Sequence, residues 1–271
     1  MNDKTLFVVA AGLSTRFSGR PKHLVQINGT TVVENTLMMA KRHYRDIWVV
    51  LNERADIYVI NATKDIVEAL GARVVLIPSG KGDADAVYQA LLATRCSEKH
   101  VSVCWGDSWF TDETIFKTAA RRLDESKGTT YVFDAMCAFE EDPYGWFDVD
   151  LYGKIARCTF MSDLESFNLS GRLRCHDQCF FNIDTEEFTT LYDAYLPEIE
   201  QHADEASKRL SSSMFKFSVK YEVSWYKMVN WALELPLLPH PIPHSIVTVL
   251  EKPMAKSFNT EEDLEEIIEH A

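Results

Sequence analysis

The chain of 271 residues carries 28 Lys and Arg against 41 Asp and Glu, a formal net charge of −13, with 46% hydrophobic and 25% charged residues. That composition excludes a mainly disordered or fibrous chain, and an acidic surface repels phosphate backbones and anionic lipid, so neither nucleic acid nor a membrane is expected as partner. No apolar run approaches the roughly 20 residues of a bilayer span, and the run Leu6 to Leu13 lacks the flanks of a signal segment, which predicts a cytoplasmic protein. Six cysteines (Cys96, Cys104, Cys137, Cys158, Cys175, Cys179) spread over a long chain suit reduced core thiols better than a disulfide framework.

In chain order, Leu6 to Ala10 reads as a strand followed by a helix within Thr31 to Tyr44. Ile47 to Leu51 and Arg73 to Pro78 are the next strands, followed by helices over Arg54 to Leu70 and Asp83 to Arg95, and Val101 to Trp105 is a fourth strand. Leu-Phe-Val-Val and Ile-Trp-Val-Val do not alternate with polar residues, which predicts strands buried on both faces of a parallel sheet. The fold class is therefore α/β, a doubly wound, mostly parallel sheet. Beyond Thr130 the pattern changes to short strands with hairpin signals, Trp146 to Asp150 and Lys154 to Phe160 around Tyr152-Gly153, then Cys179 to Ile183. This predicts an antiparallel extension. Helices over Glu186 to Tyr195 and Pro197 to Leu210 follow, then a strand over Phe215 to Val223, a passage rich in proline and a last helix after Asn259. Composition marks no linker, so residues 1–271 read as one domain with halves 1–130 and 131–271.

Ligand sites in such sheets lie beyond the carboxyl ends of the strands. Directly after the first strand stands Ala10-Ala11-Gly12-Leu13-Ser14-Thr15-Arg16, with Lys22 six residues further on. A loop of small residues leaves backbone N–H groups able to converge on phosphate oxygens. Arg16 offers a planar fork and Lys22 a compact point charge, the two cations that suit a polyphosphate. The segment is neither a Walker A motif nor a dinucleotide fingerprint.

At these residues the chain resembles the nucleotidyltransferases that make sugar nucleotides, CDP-alcohols and the dinucleotide forms of molybdenum cofactor. Their signature is A-A-G-x-G-T-R followed by P-K, and here Ser14 replaces the second glycine. The resemblance extends to Gly82-Asp83-Ala84-Asp85-Ala86-Val87, matching a G-T-A-D-A-V segment that contacts the base, with Gly80 placed to read a base edge. Asp83 and Asp85 can equally cap a helix. It makes Asp107, in Trp105-Gly106-Asp107, the carboxylate that holds Mg2+ or Mn2+ against the α-phosphate. Asn259, in Ser257-Phe258-Asn259-Thr260-Glu261-Glu262-Asp263-Leu264, is the second ligand on this reading, or else the N-cap of the last helix. Pro143-Tyr144-Gly145 resembles the family's P-Y-G stretch and Cys179 to Asp184 its G-x-Y-x-F-N strand, so Tyr144, Gly145 and Asn182 are expected at the acceptor.

What the resemblance implies is transfer of NMP from an NTP, CTP or UTP favoured, to a phosphorylated small acceptor such as a sugar phosphate, with release of pyrophosphate. Acceptors such as phosphocholine or a phosphonate fit the same chemistry. A glycosyltransferase of related fold and a non-catalytic nucleotide-sugar sensor are the rivals, and self-association is left open. Cys175-His176-Asp177-Gln178-Cys179 is a single cluster without the second ligand pair of a structural zinc site.

Overall fold

A computed structural model describes residues 3–12, 17, 19–78, 80–126, 131–139, 145–150, 152–160, 173–210, 222–234, 245–258 and 260–270. The first half contains β1 (Thr5–Val9), a 3₁₀ turn (Lys22–Leu24), a small hairpin of β2 (Gln26–Ile27) and β3 (Thr30–Thr31), α1 (Val32–Ala40), β4 (Asp46–Asn52), α2 (Ile57–Ala69), β5 (Arg73–Ile77), α3 (Asp83–Thr94), β6 (His100–Trp105), β7 (Ser108–Phe110) and α4 (Thr114–Glu125). Then come β8 (Phe133–Ala138), β9 (Gly145–Val149), β10 (Ile155–Phe160), β11 (Leu173–Asp184), α5 (Thr185–Leu210), α6 (Trp225–Glu234), β12 (Ile246–Val249), β13 (Ala255–Ser257) and α7 (Glu261–His270).

The parallel core runs β6-β1-β4-β5. Its strands are apolar on both faces because both are covered. Phe7, Val50 and Val103 pack with Ala86 and Ala90 of α3 and with Trp225, whereas Leu6, Val8, Val49 and Cys104 pack with Leu37 of α1 and Phe116 of α4. The long β11 joins the halves. Its Phe180–Asp184 stretch pairs antiparallel with β6, its Leu173–His176 stretch with β9, and β8 runs along its other edge. The predicted antiparallel extension is present, and the sheet reaches nine strands among the described residues. All six cysteines are free thiols.

Three boundaries differ from expectation. The helix predicted within Thr31 to Tyr44 ends at Ala40, fixed at its start by a capping box between Thr31 and Glu34. The two helices predicted around Pro197 are one continuous α5. Proline costs a helix one hydrogen bond, and here Leu191, Tyr192, Tyr195 and Ala203 are buried on both sides of it, so packing holds the helix together through the break. Of the strand predicted over Phe215 to Val223, residues 215–221 lie outside the described residues, and Glu222–Ser224 is not a strand.

Candidate functional site

From β1 the chain moves outward to β4 and β5, then returns to β6 on the opposite side of β1. This reversal opens a crevice beyond the carboxyl ends of β1 and β6, where open α/β sheets bind their ligands. Here the two loops approach closely. The Gly106 N–H donates to Val9 O at 2.8 Å, and a Cβ at Gly106 would lie 2.7 Å from Ala10 Cβ and 3.1 Å from Ala10 Cα. Only glycine permits that approach, and it sets Asp107 beside the Ala10–Gly12 turn. A Cβ on Gly12 would meet nothing within 4 Å among the described residues. Leu13, Ser14, Thr15 and Arg16 lie outside the described residues.

Lys22 enters the same crevice from the 3₁₀ turn. Its Nζ lies 3.1 Å from Asp107 Oδ2, with the lysine side chain 8% exposed and the aspartate 42%. A half-exposed pair adds little to stability, so its meaning is positional: a cation held from the protein side beside a carboxylate that faces solvent. Nζ also lies 5.6 Å from the Phe258 ring centroid. Phe258 follows β13, which pairs with β7 directly after Asp107. It packs edge-on against Phe17 at 5.4 Å, in a separate cluster with Val25, Ile27, Trp109, Leu264 and Ile267. An Arg20 to Glu261 pair at 2.8 Å ties the same turn to α7.

The resemblance seen in the sequence implies a divalent cation, and the donors present allow one. Magnesium is commonly held by one or two carboxylates, with water and substrate phosphates completing the octahedron, and Asp107 is an accessible carboxylate at a strand's carboxyl end. Among the described residues no three His, Cys, Asp or Glu side chains gather into a metal cluster. Asn259 lies outside the described residues.

Beyond β5, Gly80 is exposed and Gly82 is not replaceable. Gly82 has φ +142°, and a Cβ there would sit 2.6 Å from Val223 O. The contact docks the Glu222–Ser224 segment on this loop: Val223 N–H donates to Lys81 O at 2.6 Å and Ala84 N–H to Val223 O at 3.2 Å. Neither aspartate of the motif points its carboxylate at an open site. Asp83 accepts from Ala84 N–H at 2.7 Å and from Trp225 N–H at 2.6 Å, so it serves the first N–H groups of both α3 and α6. Asp85 accepts from Lys81 N–H at 2.7 Å and from the Tyr192 hydroxyl. Burial lifts Asp83 to about 6 despite its two N–H donors.

On the acceptor side Tyr144 lies outside the described residues, and Gly145 opens β9 opposite Phe160. Asn182 is corrected. It is fully buried, accepting from Ser102 Oγ at 2.6 Å and donating to Ala119 O at 2.9 Å, so both ends of its amide serve the core between β6 and α4. Sequence reasoning also missed Gln178. A bulge in β11 between Asp177 and Phe181 turns this fully buried side chain onto Met254 N–H and Ala255 N–H, at 2.6 and 3.0 Å, fixing the strand that leads to Phe258. The visible signal is a loss of alternation over Cys175 to Cys179.

Asp177, in the same bulge, accepts from Cys179 N–H at 2.7 Å and from the Tyr226 hydroxyl. Burial nevertheless raises it from 3.8 to about 8, with the charge of Asp83 adding to the rise. A carboxyl that holds its proton more tightly when folded stabilises the fold at low pH, and that contribution fades as pH rises from 3.8 to about 8. Asp177→Asn keeps an acceptor for both donors. Its melting temperature should match the parent near pH 4, rise above it with increasing pH, and hold a constant lead above pH 8. A lead that shrinks with pH would reject this account.

A family model for the MobA-like NTP transferase domain matches residues 6–174, more than half of the chain. The chain belongs to that family. This NTP transferase also superposes on solved structures: inositol-1-phosphate CTP transferase from T. maritima (TM-score 0.67, 14% identity, 99% of this chain and 95% of that one) and nucleoside-diphosphate-sugar pyrophosphorylase from Vibrio cholerae RC9 (0.65, 12%, 98% and 99%). A third is CTP:phosphocholine cytidylyltransferase from Streptococcus pneumoniae (0.63, 17%, 100% and 99%). Identities this low establish the fold of the NTP transferase alone. No curated protein matches it by sequence. Among its described residues no helix is long and apolar enough to cross a membrane.

Proposed function

We propose that the chain transfers NMP from an NTP, CTP or UTP foremost, to a phosphorylated small acceptor such as a sugar phosphate, releasing pyrophosphate. The observation that carries this reading is the Lys22–Asp107 pair in the crevice between β1 and β6. The continuous sheet supports treating 1–271 as one catalytic unit, with the nucleotide on the 1–130 side and the acceptor on the 131–271 side.

In this mechanism an oxygen of the acceptor phosphate attacks the α-phosphorus in line as pyrophosphate departs. With a second pKa near 6 a phosphate monoester is already largely ionised at neutral pH, so no side chain need act as base. Ala10 is corrected, because its N–H is held by Val50 O at 2.9 Å; Ala11 and Gly12, with Leu13, Ser14 and Thr15, present backbone N–H groups to the triphosphate, while Arg16 and Lys22 neutralise the charge that builds on the leaving group. Gly80 contacts the base. Tyr144 and Gly145 meet the acceptor. A divalent cation, Mg2+ or Mn2+, held by Asp107 with Asn259 as second ligand, would neutralise α-phosphate charge and fix its orientation.

The test is a pyrophosphate-release screen of four NTPs against sugar phosphates, phosphocholine and phosphonates. Release that depends on both substrates is expected from one combination. The family's NTP-transfer reading fails if none releases pyrophosphate while a nucleotide sugar binds or donates its sugar, which are the outcomes for a sensor and a glycosyltransferase.

A further inference from the structure

The turn that carries Lys22 is only three residues long, with two internal hydrogen bonds, Leu24 N–H to Pro21 O at 2.9 Å and Val25 N–H to Lys22 O at 3.1 Å. Pro21 and Val25 on either side are extended. So short a 3₁₀ segment has poorer hydrogen-bond geometry than an α-helix, and its side chains add to what holds it. A second side chain of the turn leaves it in another direction from Lys22: His23, buried, places Nε2 2.9 Å from Thr63 Oγ1 of α2.

Thr63 Oγ1 also lies 2.8 Å from Val59 O, one helical turn back. With the hydroxyl proton on that carbonyl the oxygen accepts from His23 Nε2–H, and with the other ring tautomer the hydroxyl donates to Nε2, so the pair is bonded in either case. Burial drives His23 down to about 4, against a weaker opposing pull from Asp107, so the ring is neutral in the working range and adds no charge beside Lys22. Thr63 is fully buried and shares its helix with buried Ile60 and Val67. A buried hydroxyl costs free energy unless it is bonded, and this one has both Val59 O and His23 Nε2 within reach.

We infer that the Thr63–His23 pair is a positioning device that anchors the 3₁₀ turn to α2 and thereby aims Lys22 at the triphosphate. The inference rests on the reading of Lys22 given above. Neither Thr63 nor His23 touches substrate; both act through the lysine.

Two measurements test it. A long-range proton–nitrogen correlation spectrum of histidine-labelled protein reads the His23 tautomer and needs no substrate. The Nε2 resonance should shift between the parent and Thr63→Val, and an Nε2 resonance unchanged by that substitution overturns the proposal outright. The second is a cycle of Thr63→Val, Thr63→Ser and Lys22→Met, read as calorimetric affinity for the magnesium complexes of CTP and UTP and as kcat and KM for pyrophosphate release. Thr63→Val should lower kcat roughly tenfold with a smaller change in KM, and lower the melting temperature because the buried His23 nitrogen loses its partner; Thr63→Ser should restore both. In a Lys22→Met background Thr63→Val should cost nothing more in kcat, as expected of residues acting through one group. If Lys22→Met is silent, the reading of Lys22 fails. If Lys22→Met is slow but Thr63→Val is harmless, or costs as much in both backgrounds, that reading stands and the positioning role falls.

Discussion

Lys22→Ala and Asp107→Ala should each lower the rate of pyrophosphate release by at least about 10²-fold, the scale on which a single preorganised charge acts at a developing oxyanion. The fold should survive both changes. Asp107 is half exposed and its bond to Lys22 is the modest kind found at a surface. The lysine differs, because its stem is buried and alanine would remove packing as well as charge. Lys22→Met therefore isolates the charge, and it should be as slow as Lys22→Ala while melting closer to the parent. Steady-state kinetics beside thermal melts make the comparison. Normal turnover in the Lys22 and Asp107 variants would remove both residues from the mechanism, whatever the fold.

The largest effect on stability is expected at Gly82. Its φ of +142° is a conformation that residues with a side chain rarely adopt, and an added Cβ would stand 2.6, 2.8 and 2.9 Å from backbone atoms of Val223. Backbone strain of about 1–3 kcal/mol and overpacking of about 1–3 kcal/mol act together. Gly82→Ala should thus destabilise by roughly 2–6 kcal/mol or expel the Glu222–Ser224 segment from its seat. Gly80→Ala is the internal control, since its nearest contacts would be 3.4 to 3.9 Å, ordinary van der Waals distances. Urea unfolding of both variants decides the matter: equal losses would mean that the Val223 contact is not what demands glycine at position 82.

The parallel core was legible because buried strands announce themselves. Leu-Phe-Val-Val and Ile-Trp-Val-Val have no polar alternation, and the glycines at 12 and 106 stand at strand ends where a sheet of this kind opens. Lys22 and Asp107 were singled out by the resemblance, the first in its P-K pair and the second in Gly-Asp after β6, and the structure brings the two within 3.1 Å. What stayed hidden depends on partners remote in sequence. Nothing near Asp83 signals that its carboxylate caps a helix 142 residues onward. Asn182 sits in a strand resembling one that serves an acceptor, yet its amide is taken by Ser102 and Ala119. Thr63 reads as one more residue on an amphipathic helix until His23 is brought against it. The bulge that turns Gln178 inward is a local change of register, and periodicity along one strand does not reveal where the neighbouring strand stops following it.

The cluster that joins Phe17 to Phe258, with Arg20 and Glu261 paired across 241 residues, bears on the order in which the protein acquires its shape. Closing so long a loop costs chain entropy that no nearby contact repays, and contacts of wide sequence separation form slowly. Strands β1, β4 and β5 with their helices can assemble early from neighbours in the chain. The turn meant for triphosphate gains its backing only when the distal segment arrives, so during refolding a well-formed sheet should precede any grip on nucleotide.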